Sequence, residues 1–172
     1  MLFIFEGPDR ARKTTIAKAV SLALGIPFWE RGPYLPHHVE GTSKSSVSDD
    51  IELHHPDSIW YVLDDMKTIE VFKRLNGNVL IDRHPYVSEC VYRRLEGKPS
   101  PLEYRRIKTS QEMVVLCHHG GENKLIVDIY EQILKMYEMD YFLVDTTITE
   151  EAVESTITTI YQMAPSVGPK LL

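Results

Sequence analysis

The reading of this chain turns on Leu2-Phe3-Ile4-Phe5-Glu6-Gly7-Pro8-Asp9-Arg10-Ala11-Arg12-Lys13-Thr14-Thr15. Four apolar residues without polar alternation read as a strand buried on both faces, the kind found in parallel sheets. From Thr14 to Leu24 the apolar residues Ile16, Ala19, Val20, Leu22 and Ala23 suit a helix, and Gly25 is its expected stop. The segment between them differs at one position from G-x-x-x-x-G-K-[ST]. In that loop, backbone N–H groups and a helix start cradle phosphates, the Lys neutralises phosphate oxygens and the hydroxyl ligates Mg2+. Gly7, Lys13 and Thr14 stand in their places, while Arg12 stands where the second glycine belongs. An arginine there is expected either to distort the loop or to point out of it, because glycine tolerates backbone angles costly for other residues. Arg10, Arg12 and Lys13 crowd the positive end of a helix and repel one another unless an anion sits there. Gly7, Pro8, Asp9, Arg10, Ala11, Arg12, Lys13, Thr14 and Thr15 are therefore the expected ATP-binding residues, with Thr14 as an Mg2+ ligand.

Outward from this loop, short apolar runs at 27–29, 79–81, 113–117 and 141–144 read as further buried strands. Helical spacing appears over 58–75, over 125–136, and from 149 to about 163 with Thr149 as the expected N-cap. Strands alternating with helices imply an α/β fold with a parallel sheet covered on both faces. Residues 31–56 lack periodicity and are expected to form a long functional or mobile loop. The segment 118–124, directly after the fourth strand, is a second, shorter loop.

Composition narrows the class. A chain of 172 residues with 43% hydrophobic and 26% charged residues is the size of one domain, expected to span 1–172. No apolar run reaches the roughly 18 residues a membrane span needs, and the N-terminus lacks the pattern of a secretory signal. A cytoplasmic protein is expected, in a host cytoplasm if it is viral. Two cysteines, Cys90 and Cys117, build neither a disulfide scaffold nor a four-thiolate zinc site and are expected as packed thiols. The paired histidines His37-His38, His54-His55 and His118-His119 lack zinc-site spacing. A net charge of −6 argues against wrapping DNA but leaves room for a local phosphate site.

A second motif follows the third strand: Asp82-Arg83-His84-Pro85. An acid and an arginine at the carboxyl end of a parallel strand sit where open α/β sheets bind ligands. Asp82 can act as a base or organise Mg2+, and Arg83 can clamp an acceptor phosphate in a bidentate fork. The competing reading is an Asp82–Arg83 ion pair that caps the next helix.

Phe5–Thr15 resembles the thymidylate kinase phosphate loop, F-E-G-x-D-R-A-G-K-[ST]-T, in its eukaryotic and viral form, with the second glycine broken. Asp82-Arg83-His84 is similar to D-R-[YFH] of the same family, and D-R-H-P also occurs in viral nucleoside kinases of the herpes type. The spacing to Ser88 and Tyr92 resembles kinases of bacterial viruses. The resemblance implies a three-layer P-loop kinase sandwich with five parallel strands in order 2-3-1-4-5. It further implies catalytic roles for Arg10, Lys13, Asp82 and Arg83, with Arg10 stabilising the transferring phosphoryl group and Asp82 assisting the metal. Asp9 would lie near the acceptor's sugar and phosphate. Trp60, Tyr61, Asp64 and Phe72 would line the acceptor base pocket, with core packing as the competing reading for the aromatic residues, and His84 would either stack on or bond to the substrate or simply pack. The 118–124 segment would be the lid, with Lys124 as its firm cation and Arg93, Arg94, Arg105 and Arg106 either compensating or serving as solvated helix faces.

The implied activity is transfer of phosphate from ATP, with Mg2+, to a pyrimidine deoxynucleoside monophosphate, most simply dTMP to dTDP. The alternatives are a viral kinase for a modified pyrimidine of hydroxymethyluracil type within DNA, a free deoxynucleoside kinase, or a nucleotide-binding module impaired by Arg12. A homodimer is expected from the resemblance alone.

Overall fold

The unbroken apolar run at the start of the chain becomes the middle strand of a sheet, buried over its whole length as β1, Leu2–Glu6. The structure, a computed structural model, describes residues 1–30, 74, 77–98, 100 and 111–164. Within them β1 is followed by α1 (Lys13–Leu24), β2 (Phe28–Trp29), β3 (Val79–Asp82), α2 (Pro85–Leu95), β4 (Glu112–His118), α3 (Lys124–Met136), β5 (Asp140–Asp145) and α4 (Thr149–Met163). The sheet order is β2-β3-β1-β4-β5, the order expected, and every pairing is parallel.

The pleat sends alternate side chains to opposite faces, so one run of apolar residues feeds two cores. Leu2 and Ile4 join Val114 and Leu116 beneath Tyr130, Ile133 and Leu134 of α3, with Val87 and Val91 of α2. Phe3 and Phe5 join Val115 and Cys117 beneath Ile16 and Val20 of α1 and Ile160 of α4. Each fully buried large side chain contributes about 1.5–3 kcal/mol relative to exposure, so these two layers dominate the stability of the described part. Cys90 and Cys117 are buried thiols inside them, and no helix among the described residues is long and apolar enough to cross a membrane.

Three local features set up the site. Register pairs Phe5 with Asp82, so the ends of β1 and β3 deliver Gly7 and Arg83 side by side. Gly7 adopts φ 135°, and a Cβ there would lie 2.1 Å from the Cys117 carbonyl oxygen, so no other residue fits the exit from β1. Helix α2 starts with Pro85 in the first turn, capped by His84.

One capping expectation is corrected. Thr149 is the first residue of α4, not its N-cap; Ile148 holds that place with no side-chain cap. The reason is competition, because the Thr149 hydroxyl accepts a hydrogen bond from Arg12 at 2.9 Å. The helix expected over 58–75 and the loop expected over 31–56 lie outside the described residues, apart from Arg74.

Candidate active site

At the carboxyl edge of the sheet an open cavity of about 310 Å³ is lined by Asp9, Arg10, Arg12, Lys13, Thr14, Thr15, Asp82 and Arg83. Two stretches of sequence some seventy positions apart thus meet in one space. Four of the lining residues are cations and two are acids.

The half built from the first loop has the form of an anion site. Helix α1 starts at Arg12 without a side-chain cap and without an acid in its first turn, so the partial positive charge of its N-terminus is unmatched by protein. Lys13 is nearly buried. Its ammonium donates to the carbonyls of Gly7 at 2.9 Å and Pro8 at 2.6 Å. Burial and the nearby Arg83 pull its pKa down to about 8, against the opposing pull of Asp9 and Glu6. Thr14 is half-buried, and Arg10 and Thr15 are exposed on the rim.

Arg12 resolves the broken glycine position. Its backbone is left-handed, φ 53° and ψ 20°, the conformation that favours glycine there. An L residue adopts it at a cost of about 1–2 kcal/mol. The side chain leaves the loop and donates to the Thr149 hydroxyl at 2.9 Å and the Thr146 carbonyl at 3.4 Å. The loop keeps its shape, and the guanidinium is anchored on the connection between β5 and α4.

The other half is charge-matched. Arg83 also stands in a left-handed conformation, φ 64°. Its guanidinium forms an ion pair with Asp9, donates to the Tyr92 hydroxyl at 2.9 Å and lies 5.6 Å from the centre of the Tyr92 ring. The Tyr92 hydroxyl donates to Asp9 at 3.1 Å, closing a triangle. Partial burial works to raise the Asp9 pKa, but Arg83 prevails and holds the carboxyl below its ordinary value. Arg83 thus reaches across to Asp9, 74 positions away, a partner that the local Asp82-Arg83 spacing does not suggest. Asp82 itself lines the cavity.

His84 is fully buried. Its Nδ1 accepts from the N–H groups of Tyr86 at 3.2 Å and Val87 at 3.4 Å. Its Nε2 lies 3.7 Å from the Glu112 carboxylate. It is a helix cap anchored in the interior, which places it outside the cavity lining.

The segment expected as a lid is a short turn stapled to its neighbour. The Gly120 N–H donates to Asp145 at 3.1 Å, and the Thr147 N–H to the same oxygen at 2.9 Å. The Thr147 hydroxyl bond, its N–H and the Gly120 N–H outweigh what burial there is and hold the Asp145 carboxyl down at about 2. None of its residues lines the cavity, and Lys124 is simply the exposed first residue of α3. Arg93 pairs with Glu89 and Glu96, and Arg94 donates to Gln132, so both have partners on helix surfaces. Trp60, Tyr61, Asp64, Phe72, Arg105 and Arg106 lie outside the described residues.

Glu6 is the member of this neighbourhood that motif reading passed over. It ends β1 with no exposed surface and accepts from the His84 N–H and the Ser88 hydroxyl. The available signal was an acid closing an otherwise apolar buried run. Among the described residues no group of three His, Cys, Asp or Glu side chains is arranged to hold a metal. Thr14 and Asp82, one hydroxyl and one carboxylate on the same cavity, are hard oxygen donors of the type Mg2+ accepts alongside water and phosphate.

No protein-family model matches the chain, and no curated protein matches it in sequence. Solved structures do match in fold. A deoxyadenosine kinase from M. mycoides with the products dCMP and a flexible dCDP bound has a TM-score of 0.60 at 14% identity, over 94% of this chain and 100% of that one. The same enzyme with bound dATP gives 0.57 at 16% identity, over 93% and 99%. The YorR protein of Bacillus subtilis, in complex with phosphorylated GDP, gives 0.50 at 18% identity, over 95% and 98%. At these identities the likeness is one of fold.

Proposed function

We propose that this chain is a phosphotransferase that moves the terminal phosphoryl group of ATP to a pyrimidine deoxynucleoside monophosphate, dTMP to dTDP in the simplest case. The observation that carries this is the cavity: Arg10, Arg12, Lys13 and Arg83 against only Asp9 and Asp82, at an uncapped helix start, in a chain whose net charge is −6. Such a concentration of positive charge suits a polyphosphate. The fold likeness to a nucleoside-phosphorylating enzyme agrees with it, and the thymidylate kinase-like motif Phe5–Thr15 supplies the finer reading.

In this reading Lys13 exchanges the Gly7 and Pro8 carbonyls for phosphate oxygens, and the first N–H groups of α1 bind the same phosphates. Arg10, exposed at the rim, faces the transferring group. Asp82 orients the acceptor, and Arg83 grips it. Mg2+ held by Thr14 and Asp82 would supply charge neutralisation at the phosphate oxygens. Catalysis in such a site comes from positioning and fixed charge.

One observation favours a second acceptor class. Arg83 is already matched by Asp9, so an acceptor phosphate must displace a carboxylate, whereas an uncharged nucleoside need not. The likeness to a deoxyadenosine kinase points the same way. A coupled ADP-release assay with ATP and Mg2+ across dTMP, thymidine, deoxyadenosine and an oligonucleotide containing hydroxymethyluracil separates these readings. Turnover is expected with dTMP above the others. Turnover of nucleosides alone selects the second reading, and turnover of the oligonucleotide selects a DNA-modifying kinase. ATP binding without turnover of any acceptor indicates an impaired nucleotide-binding module. Absence of ATP binding overturns the proposal.

A further inference from the structure

We propose that Glu6 is a positioning residue for the acceptor: its buried carboxylate holds the turn at Arg83 and thereby aims the guanidinium into the cavity. The inference rests on the phosphotransferase reading for its acceptor and on geometry for the rest. Glu6 is the last residue of β1 and has no exposed surface. One of its oxygens accepts the N–H of His84, the residue directly after Arg83. The Ser88 hydroxyl, one turn into α2, is 3.1 and 3.3 Å from its two oxygens. The carboxylate thus ties the chain that follows Arg83 to the end of β1, while the Arg83 N–H itself donates to the Phe5 carbonyl at 3.0 Å. Arg83 is left-handed at φ 64°, a conformation an arginine keeps only where its surroundings impose it. The bonds to Glu6 fix the residue after Arg83 and the first turn of α2, beside the Phe5 carbonyl that holds the Arg83 N–H and the Asp9 and Tyr92 contacts that hold its guanidinium.

The groups facing Glu6 are identifiable among the described residues. Lys13 approaches from α1 and Arg83 from the turn, with the His84 N–H and the Ser88 hydroxyl as direct donors. Cys117 on β4 and the Tyr130 hydroxyl on α3 lie within electrostatic reach. The Tyr130 hydroxyl is fully buried and has no hydrogen-bond partner among the described residues. Ionised, Glu6 accepts strongly from both donors and offsets the two cations. Protonated, it loses half its accepting capacity and its charge. Burial raises its pKa to about 7, against Arg83, the His84 bond, Lys13 and Ser88, so the change of state falls within an ordinary assay range.

Two measurements test this on the full chain. The first needs no turnover: the His84 amide shift in a ¹H–¹⁵N spectrum is followed from about pH 5.5 to 8.5. A midpoint near 7 is expected in the wild type, with a flat trace in Glu6→Gln; an unresponsive wild-type amide overturns the proposal. The second measures KM and kcat for dTMP, or for deoxyadenosine if only nucleosides turn over, at saturating ATP so that the Lys13 titration does not enter. In the wild type the acceptor KM should fall roughly tenfold as pH rises through about 7, while kcat changes less. Glu6→Gln should remove that limb and leave KM high at both ends. A pH limb unchanged in Glu6→Gln, or equal losses in kcat at constant KM, overturns the positioning role. Should Glu6→Gln fail to fold, Ser88→Ala serves in its place. It deletes one bond to the ionised form, so both midpoints should move to higher pH, and unmoved midpoints overturn the proposal. If no acceptor turns over at all, the phosphotransferase reading fails, and the Glu6 proposal is decided by the His84 titration.

Discussion

Lys13 and Arg12 rest on uncharged oxygens: two carbonyls of their own loop, the Thr146 carbonyl and the Thr149 hydroxyl. Arg83, on the other side of the same cavity, is paired with the Asp9 carboxylate and lies in the field of Glu6. The difference sets what each half accepts. A phosphate arriving at the first half replaces neutral acceptors with stronger, charge-assisted bonds and displaces no carboxylate. A ligand arriving at the second half meets a cation whose charge is already answered, so geometry decides its recognition more than bulk charge does. The first half is built to attract and the second to discriminate.

The contrast is most directly broken at Lys13. Lys13→Met removes the buried cation of the attracting half and should weaken ATP binding and turnover by about 10²–10³-fold, read by calorimetry and the ADP-release assay. A loss below about tenfold would show that the loop does not hold the phosphates. The next largest effect belongs to the discriminating half and is one of stability. A folded-state pKa of about 7, raised from 4.5, means that folding favours protonated Glu6. The stability this group contributes is present below about pH 4.5 and lost as pH rises to about 7. At pH 8.5 Glu6→Gln should therefore be more stable than the wild type by about 3 kcal/mol in urea unfolding, with the two converging near pH 5. A variant that is less stable at pH 8.5 would show that the ionised carboxylate stabilises the turn outright. The smallest effect is expected at Arg12. Arg12→Gly relieves a left-handed arginine but gives up two hydrogen bonds and stiffens nothing, so stability should change by less than about 1 kcal/mol. Turnover should change by less than about threefold, because the side chain already points out of the loop. A large gain in rate would mean that the guanidinium swings back and obstructs the donor.

The alternation of strands and helices and the phosphate loop were legible because each is written locally, while the sheet order came only from the family resemblance. Apolar runs mark strands, buried in β1, β3 and β4 but only half-buried in β2 and partly exposed in β5, where Leu143 is 48% exposed because these two lie at the sheet edges; Gly25 marks a helix end, and a glycine-lysine-threonine spacing marks a loop at a helix start. Strand boundaries shifted by a residue or so, as hydrogen bonding at strand ends extends past the apolar run; β4, for example, takes in Glu112 and His118. What was not legible are pairings between distant side chains. Arg83 finds Asp9 because β1 and β3 are neighbours, which periodicity does not encode. Thr149 looked like a cap until a guanidinium from the first loop claimed its hydroxyl. For His84 the sequence left substrate contact and simple packing open, and it did not show that the start of α2 needs an acceptor for its first N–H groups, which the ring supplies.

The contact at Gly7 limits how this site can move. Its Cα sits against the Cys117 carbonyl too closely for any side chain, so the exit from β1 is fixed to the neighbouring strand. At the other end, the Ile16 N–H bonds the Arg12 carbonyl and anchors the loop to the first turn of α1. Between them, the span from Pro8 to Ala11 is held by Lys13 and the Ala11 N–H on the Pro8 carbonyl and by Arg83 and Tyr92 on Asp9, contacts outside the sheet and the helix. The amides of Gly7 and Phe5 should therefore exchange with solvent only as slowly as the sheet itself opens, while those of Asp9 and Arg10 exchange through local, fast fluctuations. The loop is a short, held span between two fixed posts, and a nucleotide settling there needs to order very little chain.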